Sequence, residues 1–236
     1  MITILGVGHV FDISSQVRRA ILESGAQAVC LELDPQRYQA LLEERKGRQG
    51  SLIYRMLAIF QRRIASQYGG EVGQEMISAV EAAREMGADA LFIDVDATDL
   101  FSRLWREMPA GEKMKLLTSS FFGIFMTRER VEKELDRFQE NEEEYMRYFQ
   151  GHLPTMKRVL IDDRNRTMAQ RLERAEEHYG NVVAVVGDGH VEGMRQLLDG
   201  RELRVTRLRE LRSMEADSDF EPKGGNAEVH FRFSHE

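Results

Sequence analysis

The sequence predicts an α/β fold: a mixed, mostly parallel central sheet with flanking helices, built from two βα halves, with a helical insertion. Three observations carry that expectation. Short β-branched apolar blocks alternate with helical patterns along the chain. The blocks are apolar throughout rather than at every second position, as strands are when helices cover both faces of their sheet. Two blocks also stop at the same signature: Ile2-Thr3-Ile4-Leu5 runs into Gly6-Val7-Gly8-His9, and Val182 to Val186 runs into Gly187-Asp188-Gly189-His190. Residue frequencies alone give about 0.04 Gly-x-Gly-His matches in a chain of this composition. Each His thus falls at a strand-to-helix turn, where open α/β sheets place their chemistry.

Strands are predicted at 2–8, 28–33, 90–95, 182–187 and 203–208, with a last one at 228–233. The first helix spans 14–24, with Ser14 or Ser15 as its cap and Gly25 as its stop. The second starts at Asp34 as N-cap with Pro35 at the first helical position. Further helices are predicted at 51–67, 71–86, 98–107, 110–126, 128–150, 155–179 and 191–199. The chain therefore reads as a single domain, 1–236, with a helical insertion over about 98–179. An acidic linker follows at 213–226, and then an edge strand at 228–233 that pairs with the same sheet or with a second copy, which makes a homodimer a candidate state. The segment Arg128 to Tyr148, dense in Glu, Arg and Lys, reads as a solvated helix laced with i,i+4 pairs.

A formal net charge of −7 argues against nucleic acid as a partner, since such proteins carry a basic footprint. No run reaches the roughly 18 to 20 apolar residues of a membrane span, so no transmembrane segment is expected. The chain starts directly on a strand, without the basic region of a secretory leader. The single cysteine, Cys30, lies in the apolar run Ala28-Val29-Cys30-Leu31; it excludes a disulfide framework and reads as a small buried hydrophobe. The expected location is cytoplasmic.

The other strand ends are acidic: Leu31-Glu32-Leu33-Asp34 and Ile93-Asp94-Val95-Asp96. At i and i+2 of a strand, Glu32 shares a face with Asp34, and Asp94 with Asp96. If the strands are parallel neighbours, His9, His190, Glu32 and Asp94 converge on one edge of the sheet. Two imidazoles and a carboxylate suit a divalent transition metal such as zinc or manganese. Each residue also has a structural reading. Asp34 is expected to cap a helix. Gly6, Gly8, Gly187 and Gly189 permit tight turns, which leaves the two His unexplained. Glu32 has no capping role inside an apolar run, and a buried carboxylate is costly unless paired or bound to metal. In Asp162-Asp163-Arg164-Asn165-Arg166, one Arg is a candidate anion clamp. Phosphate or dinucleotide binding is disfavoured, because neither turn completes Gly-x-Gly-x-x-Gly and there is no Walker lysine.

Taken together, these residues resemble the TraB family, within the wider TraB, pheromone-shutdown and Tiki superfamily. The resemblance spans roughly 1–212. It rests on Gly6 to His9, Val29 to Asp34 with Arg37, Gly70-Glu71 with Met76 and Ala79, and Ile93 to Asp96 with Thr98, Arg103 and Trp105. Asp163-Arg164-Asn165 with Met168 and Val185 to His190 complete it. The resemblance implies paired Gly-x-x-His motifs at one site. It also implies a metal-dependent hydrolase, peptidase-like as in Tiki relatives, which prefer manganese or cobalt. The more distant erythromycin esterases activate water with a His. Pheromone-shutdown relatives suggest the alternative, a non-catalytic protein that binds and sequesters a peptide or small ligand. Carried over by position, the resemblance makes His9, His190 and Glu32 the metal set, with Glu32 as ligand or general base. Arg164 stabilises developing negative charge. The resemblance departs at Asp163, where Glu is usual in the family, and at Asp188, where a small or neutral residue is usual; Asp188 there either adds a ligand or repels an anionic substrate. Many microbial relatives also carry C-terminal membrane helices, which these residues do not show.

Overall fold

The computed structural model describes residues 1–8, 11–45, 73–123 and 142–214. Its strands are β1 (Ile2–Val7), β2 (Ala28–Leu31), β3 (Asp89–Phe92), β4 (Val182–Gly187) and β5 (Leu203–Thr206). They form one sheet in the order β3-β2-β4-β1-β5, and every described pairing is parallel. The described sheet is thus parallel throughout, where a mixed, mostly parallel one is expected.

Alternation along the strands sorts their side chains into two cores. Leu5, Val7, Val29, Leu31, Val183 and Val185 face one way. They pack against Val17 and Ile21 of α1 (Ser14–Ser24) and Met76, Ala79 and Val80 of α3 (Gln74–Glu85). Ile2, Ile4, Ala28, Cys30, Val182, Ala184 and Val186 face the other way. There they meet Met168 and Leu172 of α8 (Asp163–Tyr179) and Val191 and Met194 of α9 (Asp188–Leu197). Each fully buried Val, Leu, Ile or Met among them contributes roughly 1.5–3 kcal/mol, so packing on two faces holds the helices to the sheet. Burial pushes the Cys30 thiol up to about 12, which fits the small hydrophobe expected there.

Helix α1 matches its expected bounds and stops at Gly25, whose φ of 61° is left-handed. Its N-terminus differs from the expectation: Ile13 is the capping position and no side chain caps it, while Ser15 Oγ donates to Gln16 Oε1 at 2.9 Å. Helix α2 (Pro35–Arg45) opens on Pro35 as predicted. Strands β2 and β3 are shorter than expected. Past Leu31 the chain folds back, with the Leu33 N–H on the Leu31 carbonyl at 2.7 Å, and this brings Asp34 round to the start of α2. The predicted helix at 51–67, the linker at 215–226, the strand at 228–233 and residues 128–141 of the charged helix lie outside the described residues.

The chain divides into two compact units, Met1–Asp96 with Asn165–Glu236, and Ala97–Arg164. α8 from Met168 onward packs on the sheet. The second unit holds α4 (Ala97–Glu107), α5 (Ala110–Gly123), α6 (Glu142–His152) and α7 (Pro154–Lys157). A π-helical turn at Arg158–Asp162 then leads into α8. Leu104, Met108 and Val159 form its core. Glu112 receives the Thr155 N–H at 3.1 Å and the Thr155 hydroxyl at 2.8 Å, so a carboxylate from α5 satisfies the first amides of α7. Among the described residues no helix is long and apolar enough to cross a membrane.

Candidate functional site

β1 and β4 are neighbours, with Gly6 opposite Val186 and Val7 opposite Gly187. The two Gly-x-Gly-His turns therefore leave adjacent strands at the same, carboxyl edge of the sheet, the edge where α/β proteins bind ligands. His9 itself lies outside the described residues. His190 does not follow its turn as a loop residue. Helix α9 starts at Asp188, three residues earlier than expected, so His190 sits in the first helical turn.

β2 runs beside β4, with Leu31 opposite Val185, and Glu32 follows immediately. Although Glu32 lies beyond the end of β2, its contacts place it against α9. There Glu32 Oε2 accepts the Gly187 N–H at 2.6 Å, a tertiary cap for the start of α9 where the helix dipole favours an anion. Its other oxygen, Oε1, stands 3.4 Å from His190 Nε2. Glu32 is 4 % and His190 5 % exposed, so both polar groups are withdrawn from water.

The far side of the imidazole is held as well. His190 Nδ1 lies 2.6 Å from Asn165 Oδ1, and an amide oxygen only accepts, so Nδ1 carries the proton. On the other side of the ring, His190 Nε2 faces Glu32. Asn165 belongs to the quoted Asp163-Arg164-Asn165 element, but only the fold shows its partner. Gly193 makes the contact possible: a Cβ there would lie 2.1 Å from Asn165 Nδ2. Nothing in the pattern around Gly193 marked it.

The other acidic candidates have structural partners. Asp34 Oδ1 accepts the Gln36 and Arg37 N–H groups, both at 2.9 Å, which is the capping role expected of it. Asp94 accepts from Arg37 at 2.8 Å and from the Val95 N–H at 2.8 Å, and Arg171 donates to its carbonyl. Glu32 and Asp34 lie beyond the end of β2, and Asp94 and Asp96 beyond the end of β3, so the expected sharing of a strand face does not apply to either pair. Asp96 adds a repulsive field at Asp34. Asp188 pairs with Arg207 at 2.9 Å. In the helical unit Asp163 pairs with Arg103 at 2.7 Å and with Arg158 at 3.3 Å, and Arg164 donates to the Leu160 carbonyl at 3.2 Å. Among the described residues no three His, Cys, Asp or Glu side chains are grouped to hold a metal ion.

Burial holds the Asp34 carboxyl above its ordinary range, against the pull of the Arg37 amide and guanidinium. A raised carboxyl binds its proton more tightly folded than unfolded, so its contribution to stability is full at low pH and is lost as pH rises through the raised value. Asp34→Asn keeps the capping oxygen and removes the charge. Its stability relative to wild type is expected to improve as pH rises from about 4 through the raised value and then to level off, whereas Asp34→Ala loses about 1 kcal/mol of cap. Urea melts of the three proteins at several pH values measure both. A difference between Asp34→Asn and wild type that is flat in pH would remove the burial argument.

A parallel sheet covered on both faces, with a buried Glu–His pair at the carboxyl ends of adjacent strands, defines an α/β protein with its candidate site at the strand ends. The chain belongs to the TraB/PrgY/gumN family, whose family model matches residues 1–207. It is also similar to an uncharacterized protein of Methanocaldococcus jannaschii, at 31% identity over 229 residues, covering 88% of this chain and 56% of that protein. The chain thus spans little more than half the length of the curated relative it matches.

Proposed function

We propose that the protein is a metal-dependent hydrolase, peptidase-like in substrate, with His9, Glu32 and His190 holding a divalent manganese, cobalt or zinc ion. The observation that carries this reading is the buried Glu32–His190 pair. Two ligands about 2.1 Å from a tetrahedral ion stand about 3.4 Å apart; Glu32 Oε1 and His190 Nε2 are 3.4 Å apart. The donor chemistry fits too, since a metal-bound His ordinarily gives its other N–H to an oxygen, as His190 does to Asn165. A bound divalent ion supplies Lewis acidity and lowers the pKa of a coordinated water toward 7. Around it, Asn165 fixes the imidazole, Gly187 fixes one Glu32 oxygen, and the other Glu32 oxygen is placed to ligate or to take a proton. Arg164 is the proposed stabiliser of negative charge.

One observation favours a second reading, a non-catalytic protein that sequesters a peptide or small ligand. Glu32 and His190 already face each other directly at 3.4 Å, a contact the two side chains make by themselves. Elemental analysis separates the two, using protein purified without a His tag, as wild type and as His9→Ala/His190→Ala. About one equivalent of manganese, cobalt, zinc or iron, lost in the double variant, supports the hydrolase and directs a peptide-library screen. Absence of metal, even after adding manganese or cobalt, sinks that mechanism and leaves sequestration.

A further inference from the structure

Asp188 lies inside the second Gly-x-Gly-His motif, and its surroundings show what this chain does with it. Its carboxylate is 6 % exposed and fully engaged. Oδ1 accepts from Arg207 Nε and from the Leu208 N–H, each at 2.9 Å, and Oδ2 accepts from the second arm of the Arg207 guanidinium at 2.9 Å. A two-pronged guanidinium and a backbone amide on one buried carboxylate make a rigid joint. The joint lies directly over β1: a Cβ on Gly6 would sit 2.3 Å from Asp188 Oδ1.

Arg207 and Leu208 open the short helix α10 (Leu208–Ser213), and the same helix grips the first motif. Leu208 lies against Gly8, where a Cβ would approach its Cδ2 to 2.8 Å. The Arg212 guanidinium covers the Phe11 ring at 4.1 Å from its centroid. One helix thus touches the chain on both sides of His9 and, through Asp188, holds the first residue of the helix that carries His190.

We propose that the Asp188–Arg207 joint and α10 form a clasp that fixes the two Gly-x-Gly-His turns relative to each other, with Asp188 and Arg207 as positioning residues for the site between them. As a clasp it stands on the contacts above; as a positioning device for a metal it rests on the proposed function. The joint assigns Asp188 a role other than ligand, because both of its oxygens are occupied by donors.

Hydrogen exchange on metal-free protein tests the clasp, comparing Arg207→Gln with Arg201→Gln. Arg201 is a matched control: its side chain is 31% exposed against 29% for Arg207, and it pairs with Glu176 and Glu177 rather than near the turns. Arg207→Gln is expected to speed exchange at least tenfold in peptides covering 5–13 and 187–192, and Arg201→Gln in neither. Manganese affinity, measured by competition with a chelating dye, is expected to fall 10- to 100-fold in Arg207→Gln, the range for groups that orient metal ligands. Arg207→Lys is expected to fall between, since it keeps the charge and loses the fork. Exchange in the two turns no faster than in the control overturns the clasp. Loosened turns with unchanged manganese affinity overturn the positioning role. Loosened turns in a protein whose wild type binds no metal leave the clasp standing and refute the hydrolase reading instead.

Discussion

Gly193→Ala is expected to destabilise the protein by about 1–3 kcal/mol, the ordinary cost of forcing atoms into a packed interior. At an exposed helical position the same change is worth about 0.5–1 kcal/mol in the opposite direction, because alanine restricts the unfolded chain. The sign reverses at Gly193 because its missing Cβ is where the Asn165 amide lies. A Cβ would meet Nδ2 at 2.1 Å and Cγ at 3.2 Å. Asn165 is 4 % exposed and has little room to move. It must either swing off His190 or push α8 and α9 apart, across the interface where Met168 and Leu172 meet Val191 and Met194. Gly151→Ala is the built-in comparison. Gly151 lies in helix α6, and a Cβ there meets nothing within 4 Å. Urea denaturation of the two variants should move the midpoint down for Gly193→Ala and leave it level or raised for Gly151→Ala. Equal shifts would mean that the amide yields without cost.

The legible parts of this fold are those written in local chemistry. Gly25 and Asp34-Pro35 state the end of α1 and the start of α2 through backbone conformation and capping, and both lie where the pattern puts them. The strand cores were legible for a related reason: Val182 to Gly187 is apolar because helices cover both its faces. Strand ends were less so. Apolar residues continue past Leu31 and Phe92, but the bend that aims Asp34 at α2 is a tertiary event. The site divides in the same way. Glu32 stood out because a carboxylate in an apolar run lacks a local purpose. The capping function of Asp34 was equally visible. Asn165, Gly193 and Arg207 were not assigned their roles, since each acts on a residue at least 19 positions away or fits a gap that exists only once helices pack. A glycine kept for another element's side chain has no signature in its own neighbourhood.

Glu32→Gln and His190→Ala together make the sharpest test of the buried pair, because the two changes have different expected effects on the metal-free protein. Glutamine at position 32 keeps an oxygen for the Gly187 N–H and carries no charge, so the fold should tolerate it with a change near or below about 1 kcal/mol. His190→Ala removes the group facing Glu32 Oε1 and strands the Asn165 amide in a buried site. Removing one partner of a buried pair costs on the order of 3 kcal/mol. In the Glu32→Gln/His190→Ala double variant the stranded charge is gone, so the loss should be smaller than in His190→Ala alone, with a coupling of about 0.5–3 kcal/mol. Manganese then separates structure from function. An ion that binds only the folded state stabilises it by roughly 2.7 kcal/mol at a hundred times its Kd. Wild type should show that gain in thermal melts and all three variants should lack it. Strong coupling without any gain in wild type would mean that Glu32 and His190 support each other without a metal, and that the pair orders the edge of the sheet for a bound ligand. Weak coupling with a full metal gain in Glu32→Gln would place the ligands elsewhere, outside the Glu32–His190 pair altogether.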